Sequence, residues 1–594
     1  MQDLSQLISR RLLPRVQQPA QYVGMETNAR RADVESAEVS VVLAYPDAYS
    51  VGISHLGGQV LYALANDLPG VACDRTYCPM PDAEAVMRAE KIPLFGWESR
   101  RAVREFDVLG FSLAHEGCAT NVLTMLDLAG LGVRAADRGE GDPLVIAGDA
   151  GADAPEPMAP FIDIFCVGDG EEMLPAIIEL VRQAKRSGSR REEIILEAAR
   201  TIPAVYAPQF YRPEYNEDGT LSALAATRPG LPRRVARAHI ARLSDSPALT
   251  APLVPLAEAV HDRVTIEIMR GCPNGCRFCQ PGGTKKPVRW RPVEEILDVA
   301  RKAIAATGYR EISLLSLSSS DYPHFSELID RLNAEFVSRN VSISLPSLRV
   351  DSQLAAIPKL TSRVRKSGLT IAAEAGGERL RRAIRKDISE ESMLAGVRAA
   401  YEAGWRSVKV YFMAGLPGET DADVEAIFDL CRRLSEVRRE VDGRRGSITA
   451  SVSWLVPRPH TPMQWSAMRE AEYFWSVRRR LKSLARGSAV QFKFHRIERS
   501  ILECVIARGD RRVAAAIEAA WRLGARFDAW NEHFDHDKWT AAFDEAGVDP
   551  AFYAHRERPL EELLPWDHVD SGRSRQVLLA ERERMLAELA GASG

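Results

Sequence analysis

The chain has 594 residues, of which 46% are hydrophobic and 27% are charged, so it is long enough to bury several hydrophobic cores. Its formal net charge of −3 argues against a general attraction to nucleic acid or to anionic membranes. The N-terminal stretch MQDLSQLISRRLLPRVQQPA lacks an apolar core of signal-peptide length, and no apolar run along the chain is long enough to span a membrane. These features predict a globular cytoplasmic protein with no membrane partner.

An N-terminal extension, residues 1–37, precedes an alternation of apolar runs and helical patterns over residues 38–200. Strands are predicted at VSVVLAYP, GVACDRTYC, FDVLGFSL, PLVIAG and FIDIFCVG, with amphipathic helices between them. Five such βα units predict a doubly wound, Rossmann-like domain with a parallel sheet. In sheets of this kind, ligands bind beyond the carboxyl ends of the strands.

The predicted strand ends of this domain carry the polar or glycine-rich stretches ISHLGG, SLAHEG, AGDAG and GDGEE. Each stretch alone is compatible with an ordinary strand-to-helix turn. Together they favour a ligand site, because glycine lets the backbone approach a bound molecule closely. The candidate residues of this site are His55, Gly57, Ser112, Gly148, Gly168, Gly170 and Glu171.

Residues 201–262 are rich in proline and turn signals, and we interpret them as a linker in which EYNEDGTLSAL forms a hairpin with Asp218 and Gly219 at its tip. A second alternation follows over residues 263–470, with strands predicted at VTIEIM, EISLLSL, VSISLPSL, LTIAAE, SVKVYFMAG and ITASVSWLV. Six βα repeats predict a curved parallel barrel, complete or partial, with its chemistry at the carboxyl ends of the strands. Residues 471–594 are predicted to be mainly helical.

Three cysteines, Cys272, Cys276 and Cys279, follow the first strand of the second alternation in the stretch RGCPNGCRFCQPGG. A structural zinc site needs four thiolate or imidazole ligands, and no fourth ligand lies at matched spacing, so zinc is the poorer fit. Three thiolates on a cubane 4Fe-4S cluster leave one iron with an exchangeable position that can bind substrate. The spacing therefore favours an iron–sulfur cluster in this loop.

This C-x3-C-x2-C loop, placed after the first strand of a six-unit barrel, resembles the radical SAM superfamily. The resemblance implies that S-adenosylmethionine (SAM) chelates the fourth iron and that its reductive cleavage gives a 5′-deoxyadenosyl radical. It also implies a reducing electron donor such as flavodoxin or ferredoxin. The positions that match the family's SAM contacts are Phe278, Ser318, Ser320, Glu374, Gly415 and Pro417. A core role for Phe278 and a helix-capping role for Glu374 are the alternatives.

A doubly wound domain ahead of such a barrel resembles the cobalamin-binding class of radical SAM enzymes, in an uncharacterised family with an N-terminal B12-binding-like domain. The D-x-H-x-x-G pattern that supplies a histidine to cobalt is absent, since Ile53 stands two positions before His55 and Leu113 two before His115. The resemblance implies either a corrinoid without a protein histidine from this motif or a domain that has lost its ligand. We expect the corrinoid, with methyl transfer to an unactivated carbon as the leading reaction.

Two other functions stay open at this point. A corrinoid-free radical SAM enzyme that rearranges, couples or modifies a substrate, RNA included, is one alternative. A metal-stabilised binding protein without turnover is the other. The basic runs ERLRRAIRK and WSVRRRLKSLARG are interpreted as solvated helix faces, with a nucleic-acid backbone as their alternative partner.

The remaining candidate ligands receive structural interpretations. Cys78, Cys118 and Cys166 lie near predicted strand ends of the first domain, and we interpret them as buried hydrophobes rather than as a second cluster. His533 and His536, in HFDHD, are interpreted as part of an exposed polar connection rather than as metal ligands. No motif names the substrate or a catalytic residue.

Overall fold

The computed structural model describes residues 3–31, 33–344 and 369–591. The strands of the first domain are β1 Val39–Tyr45, β2 Val71–Tyr77, β3 Val108–Ser112, β4 Leu144–Gly148, β5 Ile164–Cys166 and β6 Val205–Tyr206. They form one sheet in the order β2-β1-β3-β4-β5-β6. The first five strands are parallel, as predicted, whereas the unpredicted β6 pairs antiparallel with β5.

Helices α1 Leu56–Asn66, α2 Pro81–Glu90, α3 Ala119–Leu128, α4 Gly170–Ser187 and α5 Arg191–Thr201 connect and follow these strands. The centre of the sheet is apolar, and Val41, Val42 and Val108 have no exposed surface. β1 lies between β2 and β3 in the sheet. The connection from β1 to β2 therefore runs toward one edge of the sheet, and the connection from β2 to β3 crosses to the other side of β1. Such a switch point opens a crevice at the carboxyl ends of the strands, where ligands of doubly wound domains bind.

The linker contains the predicted hairpin, formed by β7 Tyr211–Tyr215 and β8 Leu221–Ala226. Gly219 at its tip has a φ of +82°, which suits glycine in a tight turn. A short strand, β9 Val235–Ala236, then pairs in parallel with Val569–Asp570 near the other end of the chain. The linker thereby joins the C-terminal region to the first domain.

The second alternation contains two described parallel sheets. The first has β10 Val264–Glu267, β13 Glu311–Leu315 and β14 Ser342–Ser344, and the second has β15 Leu369–Glu374, β16 Ser407–Ala414, β17 Ser447–Trp454 and β18 Val490–Phe494. Between β10 and β13, the two-residue strands β11 Met269–Arg270 and β12 Arg289–Trp290 pair antiparallel. The end of the predicted strand VSISLPSL and the helix after it lie outside the described residues.

A strand of the second half also departs from the sequence prediction. β18, with the sequence VQFKF, lies beyond the boundary expected at residue 470, in a region predicted to be mainly helical. It extends the second sheet by pairing in parallel with β17. Five residues are too few for an alternating pattern to distinguish a strand from the flanking helices. This segment becomes a strand because it pairs with the exposed edge of β17.

The helices of the second half begin with α6 Val293–Thr307, α7 Phe325–Phe336, α8 Glu390–Glu402, α9 Asp421–Asp442 and α10 Ala471–Leu484. The C-terminal region adds α11 Ile497–Arg508, α12 Val513–Arg522, α13 His536–Ala546 and α14 Arg575–Gly591. α12 packs on α3 of the first domain, and α14 packs on the short helix Glu378–Ala383 after β15. Among the described helices, none is both long and apolar enough to cross a bilayer.

Candidate active site between the two sheets

The three cysteines lie in the loop between β11 and β12, and all three are partly exposed. Asn274 Nδ2 donates to Cys272 Sγ at 3.4 Å, and the Gly282 amide donates to Cys279 Sγ at 3.4 Å. Hydrogen bonds of this kind tune the potential of an iron–sulfur cluster. The loop therefore fits a cluster, since it offers three thiol sulfurs together with polar donors directed at two of them.

Gly271 sets the direction in which the cysteine loop leaves β11. Its φ is +87°, and a Cβ at this position would lie 2.6 Å from the Lys285 carbonyl oxygen. Only glycine fits such a turn, because any side chain would clash with backbone that cannot move aside. The glycine thus lets the two ends of the loop close against each other.

Burial raises the pKa of the Cys276 thiol to about 11, and it also raises the pKa of Cys279. The nearby Lys386 ammonium opposes both shifts, since a cation favours the thiolate. Lys386 Nζ also lies 3.5 Å from Glu374 Oε1. Sequence reasoning missed Lys386, because it ends the run ERLRRAIRK that was interpreted as a solvated helix face.

The end of β13 contacts the cysteine loop through Asp321. Ser318 Oγ donates to Asp321 Oδ2 at 2.6 Å, and Asn274 Nδ2 donates to the same oxygen at 2.7 Å. Ser320 belongs to the same short helical turn, Ser319–Asp321. Asp321 was not among the predicted site residues, although the stretch SLSSSDY contained it. It is the residue that holds the second strand end of the barrel against the cysteines.

Glu374 ends β15 at a register shift in the pairing with β16, and its φ is +66°. Burial raises the pKa of its carboxyl, and Lys386 offsets part of that shift. The N-cap residue of the next helix is Gly377. Glu374 therefore does not cap that helix, and the alternative interpretation was wrong. A non-glycine residue in this strained conformation is typical of a functional position.

Gly415 and Pro417 follow β16, and Gly415 is buried. The Gly415 amide donates to Glu419 Oε2 at 2.6 Å, and the Tyr473 hydroxyl donates to the same oxygen at 2.5 Å. Burial raises the pKa of Glu419 to about 7. A Cβ on Gly415 would lie 2.8 Å from the Phe474 ring, so this glycine also allows α10 to pack closely.

Phe278 packs on an apolar cluster formed at the ends of the barrel strands. Its neighbours there include Ala375 after β15, Leu416 after β16 and Leu455 after β17. Met585 and Leu589 of α14 belong to the same cluster. Phe278 is therefore partly buried by packing, and its contact with SAM stays a prediction.

A cavity of about 470 Å³ lies between the carboxyl ends of the first-domain strands and the cysteine loop. All seven residues predicted for the first-domain ligand site line it, namely His55, Gly57, Ser112, Gly148, Gly168, Gly170 and Glu171. On the barrel side it is lined by Met269, Arg270, Gly271, Leu315, Ser316 and Leu317. The predicted first-domain site thus opens toward Gly271 and Ser316, which neighbour the predicted cluster and SAM residues in the sequence.

Both ring nitrogens of His55 have partners inside the protein. Nδ1 accepts a hydrogen bond from the Gly58 amide at 3.1 Å, and Nε2 lies 3.3 Å from Asp149 Oδ2. Burial alone would raise the pKa of Asp149, but the hydrogen bond and charge of His55 hold it well below its usual range. Asp149 has a φ of +74°, so the end of β4 is strained like the end of β15.

The GDGEE turn is tied to the cysteine loop by ion pairs. Arg270 lies 2.8 Å from Glu171 Oε1 and 3.2 Å from Asp169 Oδ1, and Arg289 lies 2.6 Å from Asp169 Oδ2. The carboxylate of Glu171 also accepts from Ser246 Oγ at 2.7 Å. Glu171 therefore lines the cavity with a carboxylate that protein groups already hold.

Gly168 has a second reason to be glycine besides its place in the cavity wall. Its φ is +116°, and a Cβ there would lie 2.2 Å from the Ala238 carbonyl oxygen of the linker. Gly148 differs, because its added Cβ would meet nothing closer than the Cys166 carbonyl oxygen at 3.6 Å. A larger residue at 148 therefore narrows the cavity without forcing the backbone apart.

The other candidate ligands are three cysteines of the first domain and the segment HFDHD. Cys78, Cys118 and Cys166 are buried, and within the described ranges no three His, Cys, Asp or Glu side chains form a group that could hold one metal ion. A cubane cluster differs from such a site, because each of its thiolates binds a separate iron. In HFDHD, Asp535 caps α13 by accepting from the amides of Asp537 and Lys538.

The basic run ERLRRAIRK is partly structural. Arg381 is buried and donates to the carbonyl oxygens of Ala375, Gly376 and Ile388, and Arg379 donates to Asp423. Arg382 and Arg385 remain exposed. The interpretation as a wholly solvated face was therefore wrong for Arg381 and Lys386, which face the interior and the cysteine loop.

Two family models match this chain. Radical SAM proteins, N-terminal, matches residues 57–208, and the Radical SAM superfamily matches residues 266–431 with the cysteine loop inside it. Together they account for more than half of the chain. The chain belongs to the radical SAM superfamily. The 4Fe-4S cluster and SAM expected from the cysteine loop agree with this family.

Curated relatives match parts of the chain. An uncharacterized protein of Methanocaldococcus jannaschii is 29% identical over 286 residues, which are 48% of this chain and 60% of that protein. The tRNA-2-methylthio-N(6)-dimethylallyladenosine synthase of Opitutus terrae is 29% identical over 188 residues, 28% of this chain and 38% of that enzyme. The chain thus spans less than two thirds of the length of these relatives.

Two solved structures are similar in outline. The radical S-adenosylmethionine methyltransferase TsrM of Kitasatospora setae has a TM-score of 0.47 at 16% identity, covering 73% of this chain and 77% of that one. The cobalamin-dependent S-adenosylmethionine radical enzyme OxsB has a TM-score of 0.49 at 11% identity, covering 93% and 80%.

Proposed function

We propose that this radical SAM enzyme binds a corrinoid in the cavity between its first-domain sheet and its barrel. We propose further that it uses the corrinoid to transfer a methyl group to an unactivated carbon. One observation carries the proposal. The cavity has Gly148 of the first domain on one wall and Gly271 of the cysteine loop on another. A cofactor bound to the strand ends of the first domain would therefore lie beside the cluster.

The walls of the cavity suit a large planar cofactor. Apolar side chains line the first-domain side, including Val60, Phe111, Ile146 and Leu174. Glycines interrupt them at strand ends, so a flat macrocycle can approach the backbone. The site fits a corrinoid in this respect, because a corrin ring presents broad apolar faces with polar groups at its rim.

The imidazole of His55 is not available to cobalt, because its two nitrogens are held by Gly58 and Asp149. This agrees with the missing D-x-H-x-x-G pattern. When bound, the corrinoid supplies a cobalt centre that can carry a methyl group. His55 and Asp149 would instead hold the loop after β1 against the loop after β4 at the wall of the cavity.

The barrel side supplies the radical chemistry. Cys272, Cys276 and Cys279 would hold the cluster, and Glu374 and Ser318 offer acceptor oxygens at strand ends for the amine and hydroxyl groups of SAM. When bound, the cluster and SAM supply a 5′-deoxyadenosyl radical. The first domain and α14 cover the barrel mouth from two sides, which limits the entry of water to a reactive intermediate.

The test compares Gly148→Val with Gly139→Val after anaerobic purification in the presence of cobalamin. Gly139 lies in an exposed loop of the same domain, and an added Cβ there meets nothing within 4 Å. We expect wild-type protein and Gly139→Val to contain cobalt and iron, and Gly148→Val to lose most of the cobalt while keeping its iron. Elemental analysis and absorption spectroscopy measure both metals.

Two results would contradict the proposal. Wild-type protein that takes up iron but no cobalt would favour the corrinoid-free alternative, which includes modification of RNA as in the methylthiotransferase relatives. Equal cobalt in Gly148→Val and Gly139→Val would mean that the corrinoid binds elsewhere. Methyl transfer itself is tested by the appearance of labelled methyl groups in product when methyl-labelled SAM is the donor.

A further inference from the structure

A groove of about 560 Å³ lies beside the cysteine loop, and its lining includes four arginines, Arg277, Arg379, Arg382 and Arg385. We call it the arginine groove. Arg277 is itself a residue of the cysteine loop. Arg385 lies against the loop, since a Cβ on Gly275 would be 2.9 Å from its Cζ. The groove therefore borders the cluster position directly.

The four arginines differ in how they are paired. Arg277 is buried and bound to Glu581 and Glu588 of α14, and Arg379 is bound to Asp423. Arg385 has half of its side chain exposed and lies 3.6 Å from Glu581. Arg382 is exposed, and within the described parts of the chain its side chain has no hydrogen bond or ion pair. Two guanidinium groups thus face solvent at the mouth of the groove.

A second pair of cations lies on the other side of the cysteine loop. The Arg573 Nη1 would be 3.3 Å from a Cβ on Gly283. Lys286 is exposed, and burial of part of its stem together with the charge of Arg573 lowers its pKa. Cations therefore lie on both flanks of the loop, with the carboxylates of Asp387, Glu581 and Glu588 among them. The chain as a whole is slightly negative, with a net charge of −3.

We propose that the arginine groove and its flanking cations are the docking surface for an acidic one-electron carrier protein. The proposal rests on the radical SAM assignment and not on the corrinoid. In the step served by this surface, the carrier would lose one electron to the cluster held by Cys272, Cys276 and Cys279. The bound cluster would pass that electron to SAM, so one carrier is oxidised for each SAM that is split into methionine and a 5′-deoxyadenosyl radical.

The position and the shape of the patch favour a protein over nucleic acid. Electron transfer needs the two redox centres close together, and the groove places basic side chains in contact with the cysteine loop. A phosphate backbone is usually tracked by a stripe of cations along an extended path. Here the cations are grouped around one loop, which suits the compact acidic face of a small carrier.

The experiment measures binding of an oxidised acidic flavodoxin to the cluster-loaded enzyme by isothermal titration calorimetry at low and high ionic strength. Arg382→Glu is compared with Arg486→Glu. Arg486 is exposed in the turn before β18, the edge strand of the second barrel sheet, whereas the cysteine loop follows β10 of the first. We expect about tenfold weaker binding for Arg382→Glu at low salt, a smaller difference at high salt, and no change for Arg486→Glu.

A second readout separates docking from damage to the site. Reduction of the cluster by photoreduced deazaflavin, a neutral small molecule, should be the same in all three proteins. Reduction by flavodoxin should slow in Arg382→Glu by the same factor as binding weakens.

Wild-type affinity in Arg382→Glu would overturn the proposal, and so would an equal loss in Arg486→Glu. If Arg382→Glu abolished binding of tRNA and left flavodoxin binding unchanged, the groove would be a nucleic-acid site and the proposal would be wrong. Loss of the deazaflavin reaction would assign Arg382 to the integrity of the cluster loop instead. Arg382→Gln, which removes the charge without reversing it, should give an intermediate affinity.

Discussion

Two acidic residues adopt a positive φ at the carboxyl ends of parallel strands. Asp149 follows β4 of the first-domain sheet, and Glu374 ends β15 of the barrel. This conformation costs free energy for any residue with a side chain, so it persists only where the surrounding structure enforces it. Each carboxylate has a cationic or ionisable neighbour, His55 for Asp149 and Lys386 for Glu374. At this scale, the backbone is strained at the two places where the sites need a fixed carboxylate.

Replacing Cys276 by Ala removes one of the three cluster thiolates. We expect iron to fall from the four atoms of one cluster toward zero and SAM cleavage to be lost, while corrinoid binding by the first domain persists. Cys431→Ala is the matched control, because Cys431 is buried in α9 far from the loop and should keep its iron. Iron analysis and detection of 5′-deoxyadenosine under strong reductant measure the effect. Cleavage retained in Cys276→Ala would contradict the assignment.

The residues found from sequence were those with a local signal. Cysteine spacing indicated the cluster loop, and the polar and glycine-rich strand ends indicated seven of the residues that line the cavity. Asp321, Lys386 and the partners of Arg270 were missed, because their contacts arise only when distant segments meet. Lys386 reaches Glu374 because the chain turns back at Arg385, whose φ is +55°, and nothing in the letters RRAIRK indicates that turn.

At the scale of elements, the strands of both sheets were predictable, because buried parallel strands read as apolar runs. The unpredicted β18 and β6 are short and lie at sheet edges, where pairing depends on a neighbour that is already in place. In the C-terminal region, too, the contacts of an element could not be predicted from its own sequence. α14 lies in the region predicted to be mainly helical, but its packing on the cysteine loop depends on Glu581, Glu588 and the apolar contact of Leu589.

Leu589→Glu tests whether α14 shields the cluster. Leu589 is buried against the loop after β16, where its side chain lies 3.2 Å from the position of a Cβ on Gly418. A carboxylate there loosens the helix, so the cluster should bleach several-fold faster in air while anaerobic iron content stays unchanged. Leu586→Glu is the control, since Leu586 is 40% exposed on the same helix. Equal bleaching of the two variants and the wild type would mean that α14 does not limit access.

At the scale of the molecule, the first domain and the barrel are joined by buried ion pairs. Arg270 of β11 and Arg289 of β12, which flank the cysteine loop, both pair with Asp169 of the first domain. Arg270 also pairs with Glu171. The linker adds a backbone contact, because Gly168 forms a bridge with Ala238. The cavity is therefore held at a fixed width by charged groups on its rim.

Arg270→Met should weaken this connection. It leaves Asp169 and Glu171 partly unpaired in a buried place, and loss of one partner of a buried pair costs roughly 3–5 kcal/mol. Arg301→Met, which breaks an exposed pair with Glu335, should leave the free energy of unfolding nearly unchanged. Differential scanning calorimetry should show a lower transition for Arg270→Met, with the two halves unfolding separately. A single transition at the wild-type temperature would mean that the ion pairs do not couple the domains.

The bond between Arg277 and Glu588 joins residues 311 positions apart. During synthesis, the cysteine loop leaves the ribosome long before α14 has been translated. The loop is therefore open to the iron-delivery machinery for most of the time the chain is being made, and it is covered only when the last helix docks. The cluster can therefore be inserted before α14 docks, because the order of translation leaves the cysteine loop accessible until then.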